Sequence, residues 1–235
     1  MRGKVVRAKS EDTRKAILDA AEKLFSQAGF HGVSMRAIAV EAAVPQGLLH
    51  YHFGNKEGLF DAVLARRVVP LVERRVALLE RRLAEARGGR PSIEAIVDAF
   101  FRPLMELGRE EAGIHYSRLI AMVVNATDPR SRDLTRRYFD TMAKNYIAAI
   151  RQALPGLDEA DAAWGYYFLM GAGIVSIARS GRIEDLSEGA CRADDIDAVL
   201  ARVVPYCAAG LRGIAGAAEI NADITRSSLG RKRHA

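Results

Sequence analysis

The chain has 235 residues, of which 49% are hydrophobic and 27% charged, and its formal net charge is +6. This length accommodates a small domain and a larger one with its own core. No apolar run reaches about 18 residues, and no apolar stretch follows the basic N-terminus, so the sequence predicts neither a membrane span nor a secretory signal. We therefore expect a cytoplasmic protein.

The two cysteines, Cys191 and Cys207, lack the spacing of metal ligands. In a cytosolic chain we expect both to be reduced and structural. No cofactor is expected, because no phosphate loop, dinucleotide motif, paired metal ligands or catalytic triad is evident.

Residues 10–29 have the apolar spacing of an amphipathic helix. Ser10 or Asp12 is the expected cap, and Gly29 is the expected end of the helix. The predicted buried face consists of Ile17, Ala21, Leu24, Phe25 and Ala28.

Residues 34–56 predict two short helices joined by a tight turn. Ser34 can cap the first helix with its hydroxyl. Apolar side chains follow at helical spacing, namely Ile38, Ala39 and Ala42. Ala43 and Val44 form the turn, and Pro45 begins the second helix, where its missing N–H costs nothing. The pattern indicates a helix-turn-helix.

The second helix of the pair has two kinds of face. Leu49 and Phe53 lie four residues apart and are expected to face inward. The other sides carry Gln46, Gly47, His50 and Tyr51. Because such a helix enters the DNA major groove by its N-terminal end, Gln46 can pair with adenine. Asn55 is placed to cap the next helix, which makes Lys56 a candidate phosphate clamp.

Helix pairs with short turns also occur in all-α proteins that do not bind DNA. The charge distribution favours DNA here, since residues 1–10 and 226–235 each carry four basic groups and no acid. Removing these eight charges leaves −2 for the residues between them. We expect residues 1–10 to be a flexible arm along the phosphates or in a minor groove. For the tail, 218–235, solvated disorder is favoured over a DNA contact.

The segment TRKAILDAAEKLFSQAGFHGVSMRAIAVEAAVPQGLLHYHFGNKEGLF, residues 13–60, resembles the DNA-binding domain of the TetR family of transcriptional regulators. The resemblance implies an all-α homodimer that binds a palindromic DNA operator and releases it when a small molecule enters the C-terminal domain. Pro45 and His50 depart from the family's usual serine or threonine and tyrosine. The positions that meet DNA by resemblance are Ser34, Arg36, Pro45, Gln46, Gly47, His50, Tyr51, His52 and Lys56.

The pattern of the remaining chain predicts helices and no strand. The domain organisation we predict is a basic arm at 1–10, a DNA-binding domain at 11–56, a helical ligand-binding and dimerisation domain at 57–217, and the basic tail. The later helices are expected at about 56–86 with an interruption near Pro70, from Pro91, at 113–126 enclosed on every face, at 128–154, at 158–181 and at 194–216. Gly and Ala in the last two suit a dimer interface, with an intramolecular core as the alternative.

The segments around LIAMVVNA and WGYYFLMGAG are similar to a TetR subgroup that includes fatty-acid-responsive PsrA-like repressors. This resemblance implies an apolar or acyl effector. His115 and Arg118 are candidates to hold its polar head group, the alternative being a buried histidine and a salt-bridged arginine. The predicted pocket residues are Phe101, Met105, His115, Arg118, Leu119, Met122, Phe139, Met142, Tyr146 and Phe168.

The favoured function is therefore a ligand-responsive regulator, with repression as its expected effect. The hypothesis is that an effector between the central helix and its neighbours shifts the long helix after residue 56 and changes the separation of the two recognition helices. Two alternatives remain: an architectural DNA-binding protein without sequence preference, and an enzyme that uses the helical pocket.

Overall fold

The computed structural model describes the backbone of residues 2–109 and 111–231 and the side chains of residues 10–109 and 113–216. Within these residues the chain forms ten α-helices and no strand, which confirms the predicted all-α fold. The helices are α1 Arg2–Ala28, α2 Met35–Glu41, α3 Gln46–Phe53, α4 Lys56–Glu85, α5 Ile93–Leu107, α6 Glu111–Asn125, α7 Pro129–Ala153, α8 Glu159–Ile177, α9 Arg182–Leu186 and α10 Ile196–Arg231.

The helices divide into two compact units. The N-terminal unit comprises Met1–Leu71 and Gly108–Tyr138, and the C-terminal unit comprises Val72–Leu107 and Phe139–Ala235. In the N-terminal unit α1 packs against α2 and α6, and α2 packs against α3. This unit therefore contains α6 and the start of α7 as well as the helix-turn-helix, whereas the sequence pattern predicts a boundary at residue 56.

An aromatic cluster joins three segments of the N-terminal unit. The ring of Phe60, on α4, lies 4.9 Å from that of Phe25 on α1 and 5.2 Å from that of Phe30. The guanidinium of Arg130, at the start of α7, lies 3.4 Å from the Phe30 ring centre and 4.4 Å from the Phe60 ring centre. Burial lowers the pKa of Arg130, but an arginine stays charged in proteins. The cluster thus combines apolar burial with cation–π attraction.

Two further polar contacts hold α4 in the N-terminal unit. Asp61 accepts hydrogen bonds from the Tyr138 hydroxyl at 2.6 Å and from Arg137 at 2.8 Å. Burial, together with the hydrogen bond to Asp61, raises the pKa of Tyr138 to about 12. On α1, the buried carboxylate of Glu22 binds Arg66 and Arg67 of α4. Removing one partner from such a buried pair leaves an uncompensated charge, which is strongly destabilising.

The C-terminal unit is built around Phe100 on α5. Its ring contacts the rings of Tyr146 at 5.3 Å and Tyr166 at 5.7 Å, each edge to face. Arg75 donates from Nε to the Phe100 carbonyl at 2.8 Å, and the Tyr146 hydroxyl donates to the Arg75 carbonyl at 3.0 Å. Gly165 on α8 lies so close to α10 that a Cβ there would overlap Leu211. Glycine at this position therefore lets the Leu211 side chain of α10 lie directly against the α8 backbone.

Both terminal helices are longer than the sequence pattern predicts. The prediction of a flexible arm at residues 1–10 is wrong for the backbone, because α1 begins at Arg2. The expected caps, Ser10 and Asp12, lie inside this helix. No proline interrupts this stretch, so nothing ends the helix before residue 10. Likewise α10 continues to Arg231 through most of the predicted tail, and residues 232–235 lie outside the described residues.

Two other predictions about the helices are wrong, and one short helix lies where none is predicted. The long helix α4 continues through Pro70, which lacks a backbone N–H. The buried side chains of Val68 and Leu71 hold the helix in place on both sides of this proline. The short helix α9 was not expected, because five residues are too few to show periodicity. The central helix α6 is not enclosed on every face, since Arg118 is exposed and Met122 is 45% exposed.

By length and composition only, one helix among the described residues is apolar enough to cross a membrane. It is the segment Ile196–Gly216 of α10, with mean hydropathy 1.3. This is weak evidence for a span, because a helix that uses an apolar face for packing passes the same test.

The aromatic cluster predicts a large effect of Phe60→Ala. Truncating a phenyl ring that is only 3% exposed removes its buried area and leaves a cavity, so the free energy of unfolding should fall by about 3–5 kcal/mol. The control is Val69→Ala on the exposed side of α4, which should change stability by less than about 0.5 kcal/mol. Urea unfolding monitored by circular dichroism measures both, and equal effects of the two changes would contradict the assigned role of the cluster.

Candidate functional site

The helix-turn-helix is formed by local hydrogen bonds that the sequence specifies. The Ser34 hydroxyl accepts from the Ala37 N–H at 3.1 Å and so caps α2, as predicted. Ala43 has φ +53°, in the left-handed region, and the Val44 N–H donates to the Ala39 carbonyl at 3.0 Å. This arrangement ends α2 within one residue. The short turn therefore fixes the angle at which α3 leaves α2.

Helix α3 buries one side and exposes the other. Leu49 is fully buried, and Pro45 is the N-cap residue that directly precedes the helix. The opposite side exposes Gln46, Gly47, His50 and Tyr51. Tyr51 is 80% exposed, which is unusual for so large an aromatic side chain. A Cβ added at Gly47 would meet no atom within 4 Å, so packing within the chain does not require glycine there.

The two histidines of α3 lie in different surroundings. His50 Nδ1 is 2.9 Å from the Gly54 carbonyl, which places a donating N–H on that oxygen at the end of α3. The Nε2 atom of His50 is then available for a partner outside the chain. The His52 ring contacts the Tyr51 ring at 5.1 Å and is half-buried. The spacing of two residues thus directs the two rings to different environments, as expected for a helix.

Lys56 is positioned by α4 and by an aromatic ring. Asn55 Oδ1 accepts from the Gly58 N–H at 2.8 Å, so Asn55 caps α4 as predicted. The Lys56 ammonium lies 4.4 Å from the Phe30 ring centre, a contact that the sequence pattern does not reveal. Arg36 is exposed on α2. Arg14, which the sequence pattern does not predict as a site residue, has its guanidinium 5.3 Å from the Phe53 ring centre and adds a basic group beside α3.

The residues predicted to line an effector pocket are divided between the two units. Within the N-terminal unit Leu119 is buried, whereas Arg118 and Met122 are exposed. The C-terminal unit contains six of the predicted pocket residues. Four of them are buried, namely Phe101, Met105, Met142 and Tyr146. Phe139 is half-buried and Phe168 is exposed. Phe168 stacks on the Trp164 ring at 5.7 Å on the exposed side of α8.

His115 has a specific partner inside the N-terminal unit. Its Nδ1 lies 3.0 Å from the Ser26 hydroxyl, which ties α6 to α1. His115 also borders a cleft of about 650 Å³ whose other walls come from α1 and α4. The charged side chains of that cleft are Glu11, Arg14, Lys15, Asp19, Glu22, Lys23, Arg66 and Arg67.

Among the described residues no cluster of three His, Cys, Asp or Glu side chains could hold a metal ion. Cys191 and Cys207 are free thiols, and burial raises the pKa of Cys207 to about 11. Cys207 is accordingly neutral and unreactive at ordinary pH.

A capped α2, a short turn and an α3 with an exposed polar face define a helix-turn-helix protein with an all-α body. Residues 17–63 match the family model described as "Bacterial regulatory proteins, tetR family", and residues 98–210 match "Tetracyclin repressor-like, C-terminal domain". The chain belongs to the TetR family of transcriptional regulators. Membership of a family of regulators excludes the enzyme alternative.

Individual relatives resemble parts of the chain. The HTH-type transcriptional regulator UidR of Escherichia coli K12 is 41% identical over 59 residues, which cover 25% of this chain and 30% of UidR. Among solved structures, Salmonella enterica GusR aligns with a TM-score of 0.55 at 20% identity, covering 87% of this chain and 95% of GusR. The fatty acid degradation regulator FadR from Bacillus halodurans aligns with a TM-score of 0.57 at 14% identity, covering 85% and 96%. At these identities the structural matches show a shared fold.

Proposed function

We propose that this protein binds a palindromic DNA operator as a homodimer and represses transcription until a small effector releases it. The observation that carries the proposal is the exposed face of α3. Gln46 and Tyr51 project from a helix whose opposite side is anchored by buried Leu49. Such a helix fits the major groove of B-DNA. Because its site is DNA, the protein belongs in the cytoplasm.

The side chains around α3 divide into two roles. Gln46, at the first position of α3, can make a bidentate pair with adenine, and Gly47 lets the helix backbone approach the DNA closely. Tyr51 and the Nε2 of His50 can reach a base edge or a phosphate. The groups that can donate to phosphate, which set position rather than sequence preference, are Ser34, Arg36, His52 and Lys56. Pro45 has no N–H and no polar side chain, so it can meet the DNA backbone only by packing.

The experiment that tests the proposal is selection from a pool of random duplexes at fixed, near-physiological salt, followed by sequencing. An enriched palindrome is expected, and the selected site should bind about 10³-fold or more tightly than random DNA. An architectural protein would bind all duplexes with equal affinity and enrich no motif.

Gln46→Ala and Lys56→Ala should have different effects on the selected operator. Gln46→Ala should cost about 1–3 kcal/mol at one base position and relax preference there. Lys56→Ala should weaken binding to every sequence alike and reduce the salt slope by about one. Fluorescence anisotropy at several salt concentrations measures both, and identical behaviour of the two variants would refute the assigned roles.

The dimer is proposed from the exposed sides of α8 and α10. Trp164, Tyr167 and Phe168 on α8 and Tyr206 on α10 are all exposed, and so many exposed aromatic side chains on two adjacent helices mark an interaction surface. A two-fold operator requires a two-fold protein, which makes a second copy of this chain the natural occupant.

Tyr167→Glu should therefore dissociate the dimer, because it buries an unpaired carboxylate in the interface. Ala148→Glu on the exposed side of α7 is the matched control and should leave the dimer intact. Sedimentation velocity measures the oligomeric state, and a dimer that survives Tyr167→Glu would place the interface elsewhere.

The proposed effector is a small apolar or acyl compound. The apolar character of the predicted pocket residues supports this class, as does the fold shared with a fatty acid degradation regulator. The contact of His115 with Ser26 offers a route from α6 to α1. An effector that favours one arrangement of α6 would thereby bias the position of the recognition helix.

Thermodynamic linkage tests the effector mechanism. Effector and DNA should weaken each other's binding by the same factor, typically about 5–150-fold. Calorimetric titration of a medium-chain fatty acid into the free protein and into the protein–operator complex, with operator affinity measured in parallel, provides both factors. Unequal factors would reject a two-state release mechanism.

A further inference from the structure

A cleft in the C-terminal unit lies where α8, α9 and α10 meet. Its volume is about 560 Å³, and it is bounded by the end of α8, most of α9, the segment between α9 and α10, and the first turns of α10. Apolar side chains form much of its wall, including Val175, Ile183, Leu186 and Val199. Val175 is 77% exposed and Leu186 is 64% exposed. The cleft therefore presents apolar surface that no described side chain covers.

The same cleft is bordered by four arginines, Arg179, Arg182, Arg192 and Arg202. Arg192 is neutralised by two hydrogen bonds to Asp194, at 3.0 and 2.7 Å. Arg202 donates to the Ala198 carbonyl, a neutral acceptor, at 2.8 Å. Within the described residues the side chains of Arg179 and Arg182 make no hydrogen bond and no ion pair. The hydrogen bond from Arg192 lowers the pKa of Asp194, and the charge of Arg179 also contributes to this shift. Among the described residues Arg179, Arg182 and Arg202 thus donate no hydrogen bond to a carboxylate, and Arg179 shares Asp194 only through its charge.

The acidic side chains of the cleft accept hydrogen bonds from backbone N–H groups. Glu184 accepts from the Ala193 N–H at 2.7 Å, and that hydrogen bond lowers the pKa of Glu184. Asp195 accepts from the Ala198 N–H at 3.0 Å at the start of α10. The second oxygen of Glu184 is buried and has no hydrogen-bond partner. A donor supplied from outside, such as a hydroxyl or a bound water, would satisfy it.

We propose that this cleft is a binding site for a small organic anion with an apolar body, such as an alkyl carboxylate. Arg179 and Arg182 bind the anionic group, and guanidinium groups suit carboxylates because two N–H donors match two oxygens. The apolar wall buries the alkyl part. The site is separate from the residues proposed above for the effector, and it requires neither DNA nor release from DNA.

A second copy of the chain is a less favourable occupant of the cleft. In an isologous dimer the same patch lies on both subunits, so a cleft on the two-fold axis would bring arginines against arginines. Like charges in an interface cost several kcal/mol. The uncovered aromatic side chains of α8, such as Trp164 and Tyr167, provide a surface for the partner without this repulsion.

Cys191 provides a reporter inside the cleft. It is a half-buried free thiol in the wall, whereas Cys207 is buried, has a pKa raised to about 11 and does not border the cleft. The measurement is the rate of alkylation of each cysteine by N-ethylmaleimide, a neutral reagent, followed by peptide mass spectrometry on the full chain. The probe is decanoate, and decanol is its neutral counterpart.

Decanoate should slow alkylation of Cys191 by about tenfold at ten times its Kd, as mass action requires, and should leave Cys207 unchanged. The double variant Arg179→Gln/Arg182→Gln should raise the Kd of decanoate at least about tenfold, since each lost hydrogen bond to a charged group is worth that much. The matched control is Arg74→Gln/Arg81→Gln, two exposed arginines of α4 that do not border the cleft. This control should bind decanoate as the natural chain does.

Three results would overturn the proposal: decanol protecting Cys191 as well as decanoate does, the double variant binding decanoate with unchanged affinity, or protection that follows protein concentration instead of decanoate. The last would assign the cleft to a second copy of the chain. Circular dichroism of both double variants shows that a loss of protection does not reflect unfolding.

Discussion

The packing of Phe60 against Phe25, Phe30 and Arg130 holds together the N-terminal unit that carries α3. These four side chains come from α1, α4, the segment after α1 and the start of α7, so one cluster fixes segments that are far apart in the chain. Lys56 lies over Phe30 in the same cluster. A shift of α7 would therefore be transmitted through direct contacts to Lys56, which is proposed to bind phosphate, because packed interiors transmit strain.

Buried charged and polar side chains form a second set of contacts between the helices of the N-terminal unit. Glu22 on α1 binds two arginines of α4, and His115 on α6 meets Ser26 on α1. Both contacts are directional and tolerate little displacement. Helix α6 therefore forms part of the unit that carries α3. This arrangement gives the proposed effector a short mechanical route to the DNA-binding surface, since a shift of α6 must be accommodated by α1.

The C-terminal unit has a different physical character. Its interior is held by edge-to-face aromatic contacts around Phe100 and by glycines that let α8 approach its neighbours. Its outer side leaves two kinds of unfilled surface, the aromatic stripe on α8 and the arginine-bordered cleft beside α9. The first suits a symmetric protein partner, because it is apolar and uncharged. The second suits an anionic small molecule.

The sequence by itself determined the all-α class, the family, the caps at Ser34 and Asn55, and the helix-turn-helix, because each depends on residues within a few positions of one another. It did not determine the continuation of α4 through Pro70, the exposure of Phe168, the contact of Lys56 with Phe30 or the cleft beside α9. Those features are decided by contacts between residues distant in the chain. Local periodicity shows which face of a helix is apolar, but only the tertiary structure decides what that face meets.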